Sequence, residues 1–384
     1  MGATLASLAS GFLAALGIGA PLHYTDGQYA DIRGVLADLD YIGIHHVRTA
    51  AYHTRMQGQS SFHRAAQNGV RFDMLLNTTD DLPARIAQLA GFAAQHPGAV
   101  VAIEGPNEIN NFGASYHGMK GAPAAIAFQN DLYAAVAANR VLRGIPVFSY
   151  TMNAGASSST GYDSAAIHPY PVGGRPPQRM LDINLASVPA GKPVVVTETG
   201  YSTLPEDKDG VDARAQAIYA FDMILDARAA GAQAIYLYEL RDAYPDPGGR
   251  DLVRHFGVFD HANQPKPLAT GLHNLTHILS WQANADAPGS LDFAAAGPGR
   301  TLPLQKRAGL FDIMVWNEAP VWSAARRAPA DPPPAARTIR FGGAHHRISL
   351  FDPLRGTTAM ATWHDVAEIN LPYGPDPLII EVES

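Results

Sequence analysis

Short apolar runs alternate with helical stretches over the first two-thirds of the chain. The runs span residues 16–22, 43–48, 71–77, 100–104, 146–150, 164–167, 193–197 and 234–238. Such alternation is the pattern of strand–helix units and a parallel sheet. Residues 83–95 open with a proline in the first turn and carry Ile86, Leu89 and Ala93 on one face. Residues 122–140 carry Leu132 and Val136. Residues 211–230 carry Ile218, Ile224 and Leu225 and end at Gly231, a natural helix stop. Eight such units predict an α/β fold, a (β/α)8 TIM barrel. A doubly wound open sheet is the competing architecture. A last helix is expected over 268–280. From about residue 283 the texture changes to Pro and Gly clusters and short alternating runs at 311–316, 338–341, 347–351 and 378–382. This predicts a small antiparallel, sandwich-like β domain. The expected division is therefore a barrel over 1–282 and a β domain over 283–384.

Composition narrows the chemistry. The chain has 384 residues, 47% hydrophobic and 16% charged, which excludes disorder. The formal net charge is -7 and the basic residues do not cluster, so no nucleic-acid partner is expected. With no Cys, disulfides, thiolate metal sites and Cys nucleophiles are excluded. The first twenty residues are apolar but too short and interrupted for a membrane span. They also lack the positive charge that opens a signal peptide, since no Lys or Arg precedes Arg33. The expectation is a chain that starts just after a removed signal, hence secreted or periplasmic, with a short helix leading into the first strand.

In a barrel of this kind, function lies at the C-terminal ends of the strands. After the fourth run comes Ile103-Glu104-Gly105-Pro106-Asn107-Glu108, and after the seventh Val196-Thr197-Glu198-Thr199-Gly200. Both place a carboxylate where a strand opens into its loop. Strands four and seven face each other across the mouth. Two carboxylates across one bond, one holding a proton and one ionised, are what glycoside hydrolysis requires.

These residues resemble the clan A glycoside hydrolases, which carry Asn-Glu after strand four and Glu after strand seven. Family 39 and family 5 enzymes, especially bacterial polysaccharide hydrolases, are nearest in texture. The resemblance covers roughly residues 14 to 280. It implies that Glu108 is the acid/base, that Glu198 is the nucleophile, and that Asn107 binds the sugar 2-hydroxyl. It further implies that Arg48, ending strand two, supports the nucleophile. His168 and Tyr170, after strand six, stand where the clan places a His or Tyr beside it. Many members have a Trp after strand eight as a floor for the sugar. Here the run is Tyr236-Leu237-Tyr238-Glu239, so Tyr238 is expected to stack on the sugar and Glu239 to hydrogen-bond it. His23 and Asn77, after strands one and three, are further candidates for lining the pocket.

The resemblance implies a retaining hydrolase of a β-linked poly- or oligosaccharide, with no cofactor and no metal. A transglycosylase would use the same carboxylates. A binding barrel without activity is the other alternative, against which the intact pair argues. The rival carboxylate Glu104 reads as a buried, paired group. The 15 His residues show no metal-binding spacing. Trp316 and Trp363 could give the β domain a sugar-binding surface, against the simpler reading of packing. Sugar identity, endo or exo action and oligomeric state are not encoded in these patterns.

Overall fold

The computed structural model describes residues 2–152, 160–281 and 287–383. All eight expected barrel strands form: β1 (Leu16–Gly19), β2 (His46–Ala50), β3 (Arg71–Leu75), β4 (Val100–Glu104), β5 (Val147–Phe148), β6 (Ala165–Ile167), β7 (Val194–Thr199) and β8 (Ile235–Leu237). They pair in parallel in the order β6-β7-β8-β1-β2-β3-β4-β5. A parallel bridge between Phe148 and Ser164 joins β5 to the start of β6, so the sheet closes. That closure excludes the open doubly wound sheet.

Helices Ile32–Ile42, Gln59–Gln67, Leu82–Gln95, Ala122–Ala138, Gln178–Leu185, Ala213–Ala229 and Pro267–Leu279 accompany seven of the strands. Three start on a side-chain cap: Asp31 accepts from Arg33 N, Asp81 from Ala84 N and Asp212 from Ala215 N. No helix stands between β5 and β6 among the described residues.

Strand alternation sorts the side chains. Ile18, Val47, Phe72, Ile103, Ile167, Val196 and Ile235 pack outward into one core with helix residues such as Leu39, Phe62, Leu89, Leu132 and Ile224. The alternate positions, Arg48, Asp73, Ala102, Glu104, Ala166, Val195, Thr197 and Tyr236, turn into the barrel. Parity alone would send Glu198 outward beside Thr197. A register shift between Val196 and Thr199, where β7 pairs with β8, breaks the alternation there. Irregularities of this kind re-aim a side chain at a strand end.

The C-terminal residues form an eight-stranded, mostly antiparallel sheet. Its long strand Ala335–Phe351 pairs with Ser290–Ala296 through its first half and with Leu378–Glu383 through its second. Apolar residues of both halves, among them Phe293, Ile313, Ile339, Ile348, Ile369 and Ile380, meet in one core, giving the sandwich-like domain. Strand Leu310–Trp316 is buried on both faces. Phe311, Ile313 and Val315 enter the sandwich core, while Met314 and Trp316 enter the barrel core.

One expectation needs correction, and for Trp316 the simpler reading of packing holds. The chain does not pass directly from its start into the barrel. Gly2–Leu5 pairs antiparallel with Ser290–Ala296, and Ser7–Leu8 pairs parallel with Arg300–Arg307, so the first residues belong to the C-terminal sheet. Only then comes the expected short helix, Ala9–Ala14. Trp316 is no surface residue either. It is 0% exposed, and its Nε1 donates to Asp226 Oδ1 at 2.8 Å on the barrel helix Ala213–Ala229. Trp363 is half-buried and packs against the sandwich core.

Candidate active site

A cavity of about 660 Å³ opens at the C-terminal ends of the strands. His23, Arg48, Asn107, Glu108, Tyr170, Glu198, Tyr238 and Glu239 all line it. Eight of the ten residues singled out from the sequence thus converge.

Glu108 lies four residues past Glu104, on a loop that folds tightly over Gly105. A side chain at Gly105 would overlap the Gln129 amide. That amide donates to Phe148 O at 3.1 Å and to Gly161 O at 2.9 Å, tying the loop to β5 and the segment before β6. Glu108 itself is left-handed, with φ 37°, which costs a non-glycine residue on the order of 1 kcal/mol. The conformation is held from both sides. Glu108 N donates to Thr151 Oγ1 at 3.0 Å, and Glu108 O accepts from Asn111 N and Phe112 N.

The Glu108 carboxyl takes one partner per oxygen. Oε1 lies 2.8 Å from His168 Nδ1, and Oε2 accepts from Asn111 Nδ2 at 2.7 Å. Burial pushes this carboxyl up. The His168 hydrogen bond and charge, the Asn111 hydrogen bond and the Arg48 charge outweigh it and hold Glu108 below the usual carboxylate range.

The Glu198 carboxyl is fixed from two strands. Oε1 accepts from the Tyr170 hydroxyl at 2.7 Å and Oε2 from Arg48 Nη1 at 2.5 Å. Arg48 also donates to both oxygens of Glu104, at 2.6 and 3.0 Å, and to Asn107 Oδ1 at 2.7 Å. One guanidinium therefore joins the ends of β2, β4 and β7, a geometry only its planar fork provides. Glu104, 0% exposed, is the paired group expected.

An oxygen of Glu108, an oxygen of Glu198 and a ring nitrogen of His168 lie within 4.8 Å of one another. Three such donors could face a cation. Here Glu198 already accepts from Arg48 and Tyr170, and Glu108 faces His168 and Asn111, so each carboxyl has protein partners.

The wall beyond Glu198 is aromatic. Tyr170, Tyr238 and Phe256 pack edge to face, with ring centroids 5.5 to 6.5 Å apart. Glu239 adjoins them, 3% exposed, and its Oε2 accepts from Tyr29 at 3.2 Å. Burial pushes its carboxyl up to about 8.

Two candidates fall elsewhere. His168 does not line the cavity. It lies beneath Glu108, so it supports the acid/base candidate rather than contacting a ligand or Glu198. Asn77 is exposed, and its Oδ1 accepts from Asn107 N at 3.2 Å, so it holds the loop rather than lining the pocket. Asn111, Thr197, Tyr29 and Phe256 were not found from the sequence. Asn111 had one usable signal, its place one turn after Glu108.

No protein-family model matches the chain, and no curated protein matches it by sequence. Solved structures do match over nearly its whole length. A family 39 glycoside hydrolase from Bacteroides cellulosilyticus WH2 superposes with a TM-score of 0.67 at 14% identity, covering 98% of this chain and 82% of that one. A glucosidase from Croceicoccus marinus gives 0.63 at 11% identity, covering 100% and 99%. A monomeric beta-xylosidase from Caulobacter crescentus CB15 gives 0.61 at 13%, covering 99% and 97%. Likeness at these identities establishes a shared fold, barrel and C-terminal β domain together.

Proposed function

We propose that this protein is a retaining glycoside hydrolase acting on a β-linked poly- or oligosaccharide, with Glu108 as acid/base and Glu198 as nucleophile. The observation that carries the reading is the approach of the two carboxyl groups, with oxygens within 4.8 Å at the ends of β4 and β7. Retaining enzymes hold their carboxyls roughly 5–5.5 Å apart, whereas inverting enzymes leave room for a water between them.

In the first step Glu198 attacks the anomeric carbon and forms a glycosyl ester. The bond to the leaving oxygen breaks, its electron pair stays on that oxygen, and Glu108 supplies the proton. In the second step water attacks the same carbon, Glu108 takes its proton, and the ester opens with Glu198 as leaving group. Two inversions give retention. Arg48 and Tyr170 hold Glu198 in line for both displacements. The aromatic wall of Tyr238, Tyr170 and Phe256 suits the apolar face of a sugar ring. Two of the superposing enzymes are a glucosidase and a beta-xylosidase, which makes gluco- and xylo-configured sugars the first to try. A polysaccharide substrate would be met outside the cytoplasm, and export belongs to the proposal.

The test is hydrolysis of a panel of bacterial and plant polysaccharides by wild type, Glu108→Gln and Glu198→Gln. One substrate should be cut, with both variants falling by several orders of magnitude while remaining folded. Near-normal activity in either variant would remove that carboxylate from the mechanism.

A further inference from the structure

Beneath Glu108 lies a hydrogen-bonded chain that the two-carboxylate mechanism does not use. It runs from Glu108 Oε1 to His168 Nδ1 at 2.8 Å, from His168 Nε2 to Thr197 Oγ1 at 3.0 Å, and from Thr197 Oγ1 to Glu104 Oε1 at 3.0 Å. His168, Thr197 and Glu104 are all buried. Arg48 closes the far end by donating to both Glu104 oxygens.

The direction of each hydrogen bond follows from the end that cannot vary. The Arg48 fork requires Glu104 to accept. Asp73, fully buried beside it, makes no hydrogen bond to Arg48, and burial and the neighbouring Glu104 push its carboxyl well above its usual range. Thr197 has one hydroxyl proton and two neighbours. Giving it to His168 would leave lone pairs of Glu104 and Thr197 facing each other at 3.0 Å between two fully buried side chains, which is costly. The proton therefore goes to Glu104, and Thr197 Oγ1 accepts from His168 Nε2. Nε2 carries a hydrogen, so Nδ1 of a neutral ring is bare. The short contact to Glu108 then needs a further proton, shared between Nδ1 and Oε1.

We propose that Glu104 and Thr197 are positioning residues that fix a hydrogen on His168 Nε2, so that the Glu108–His168 pair holds one deliverable proton. This rests on the hydrolase reading above and adds to it the source of the acid proton. It also accounts for an acid/base held below the usual carboxylate range, because the proton need not reside on Glu108 itself. In the first step that proton passes through the Glu108 carboxyl to the leaving oxygen, which has taken the electron pair of the broken bond. The ring is left with its Nε2 hydrogen and a bare Nδ1 facing a bare carboxylate oxygen. That opposition makes Glu108 a readier base, and the proton of the attacking water restores the pair. Without the Thr197 hydroxyl, Nε2 loses its acceptor and the neutral ring adopts the Nδ1–H form. Its proton is then the imidazole's own, and giving it up would leave an imidazolate.

The test compares Thr197→Val, which keeps the shape and removes the hydroxyl, with Thr197→Ser, which keeps the hydroxyl. Nitrogen-15 NMR of histidine-labelled protein reads the tautomer directly, with the His168 signals assigned by their loss in His168→Gln. Wild type and Thr197→Ser should show a hydrogen on Nε2, and Thr197→Val should switch to Nδ1–H. A wild-type ring with Nδ1–H and bare Nε2, or a Thr197→Val ring unchanged from wild type, overturns the proposal. Kinetics on aryl β-glucosides and β-xylosides give the catalytic arm. For phenyl glycosides, which need acid assistance, Thr197→Val should lose ~100-fold in kcat/KM. For 2,4-dinitrophenyl glycosides, which do not, the loss should be under tenfold, and Thr197→Ser should restore both. Equal losses with the two leaving groups would reduce Thr197 to a structural role. Absence of all glycosidase activity would count against the hydrolase reading, while the NMR comparison would still decide the tautomer.

Discussion

Arg48 Nη1 donates to Glu198 Oε2 across 2.5 Å while its other nitrogens hold Glu104. The same cation thus serves a buried structural carboxylate and the carboxylate at the cavity. Arg48→Met removes both interactions and leaves Glu104 charged in the barrel interior. Breaking a buried pair from one side costs about 3–5 kcal/mol. Thermal denaturation of Arg48→Met should show a large drop in Tm, and Arg48→Lys should recover only part of it, because a point charge cannot bridge three strands. A Met variant as stable as wild type would contradict this account.

Tyr170 acts on the same carboxylate with a smaller structural stake. Its hydroxyl donates to Glu198 Oε1 at 2.7 Å, and its ring packs against Tyr238 and Phe256. Tyr170→Phe keeps the ring contacts and deletes one hydrogen bond to a charged group, worth about 1.5–3 kcal/mol. The effect should appear as a roughly 10- to 100-fold fall in kcat, with Tm lowered by only a few degrees. Steady-state kinetics beside a melting curve would separate this from a folding defect, since a parallel collapse of both would point to misfolding.

The barrel was legible because parallel strands advertise themselves as apolar runs, and the two glutamates because each follows such a run. Strand ends offered His23, and the resemblance to clan A enzymes placed Arg48, Tyr170, Tyr238 and Glu239 beside the pair. Side-chain direction was not legible. Nothing in Ile167-His168 tells whether the imidazole turns to Glu108 or Glu198, and only the register shift in β7 explains how adjacent Thr197 and Glu198 both serve the site. Gly2–Leu5 went unread for another reason. It is exposed at every position, so it carries no alternation, and its place in the sheet comes from backbone pairing to residues nearly 300 positions away.

Trp316 and Trp363 of the β domain should behave differently. Trp316 fills the seam between sandwich and barrel and donates to Asp226. Trp316→Ala leaves a cavity there and should cost about 3–5 kcal/mol. Trp363→Ala touches only partly buried packing and should lower Tm far less. In a polysaccharide pull-down, Trp363→Ala should be retained like wild type. Loss of retention in that variant, with Tm unchanged, would restore a sugar-binding role for the β domain.

The same seam should respond to pH. Glu318 lies beside Asp226 at the end of strand Leu310–Trp316, and burial, followed by the hydrogen bond and charge of Asp226, pushes its carboxyl up to about 9 from an ordinary 4.5. Asp222, fully buried nearby, is raised in the same direction, first by burial and then by the charge of Glu318. The folded protein therefore keeps a proton on Glu318 that the unfolded chain releases above about 4.5. Stability from that proton is complete below the unfolded value and is lost as pH rises toward and through the folded one. Glu318→Gln cannot ionise, so it should escape the loss. The Tm of the variant minus that of wild type should grow steadily from pH 5 to pH 9 in calorimetric scans. A difference that stays constant across that range would show that Glu318 has no raised affinity for its proton, and that Arg300, which donates to Asp226 at 2.7 Å, neutralises the seam unaided.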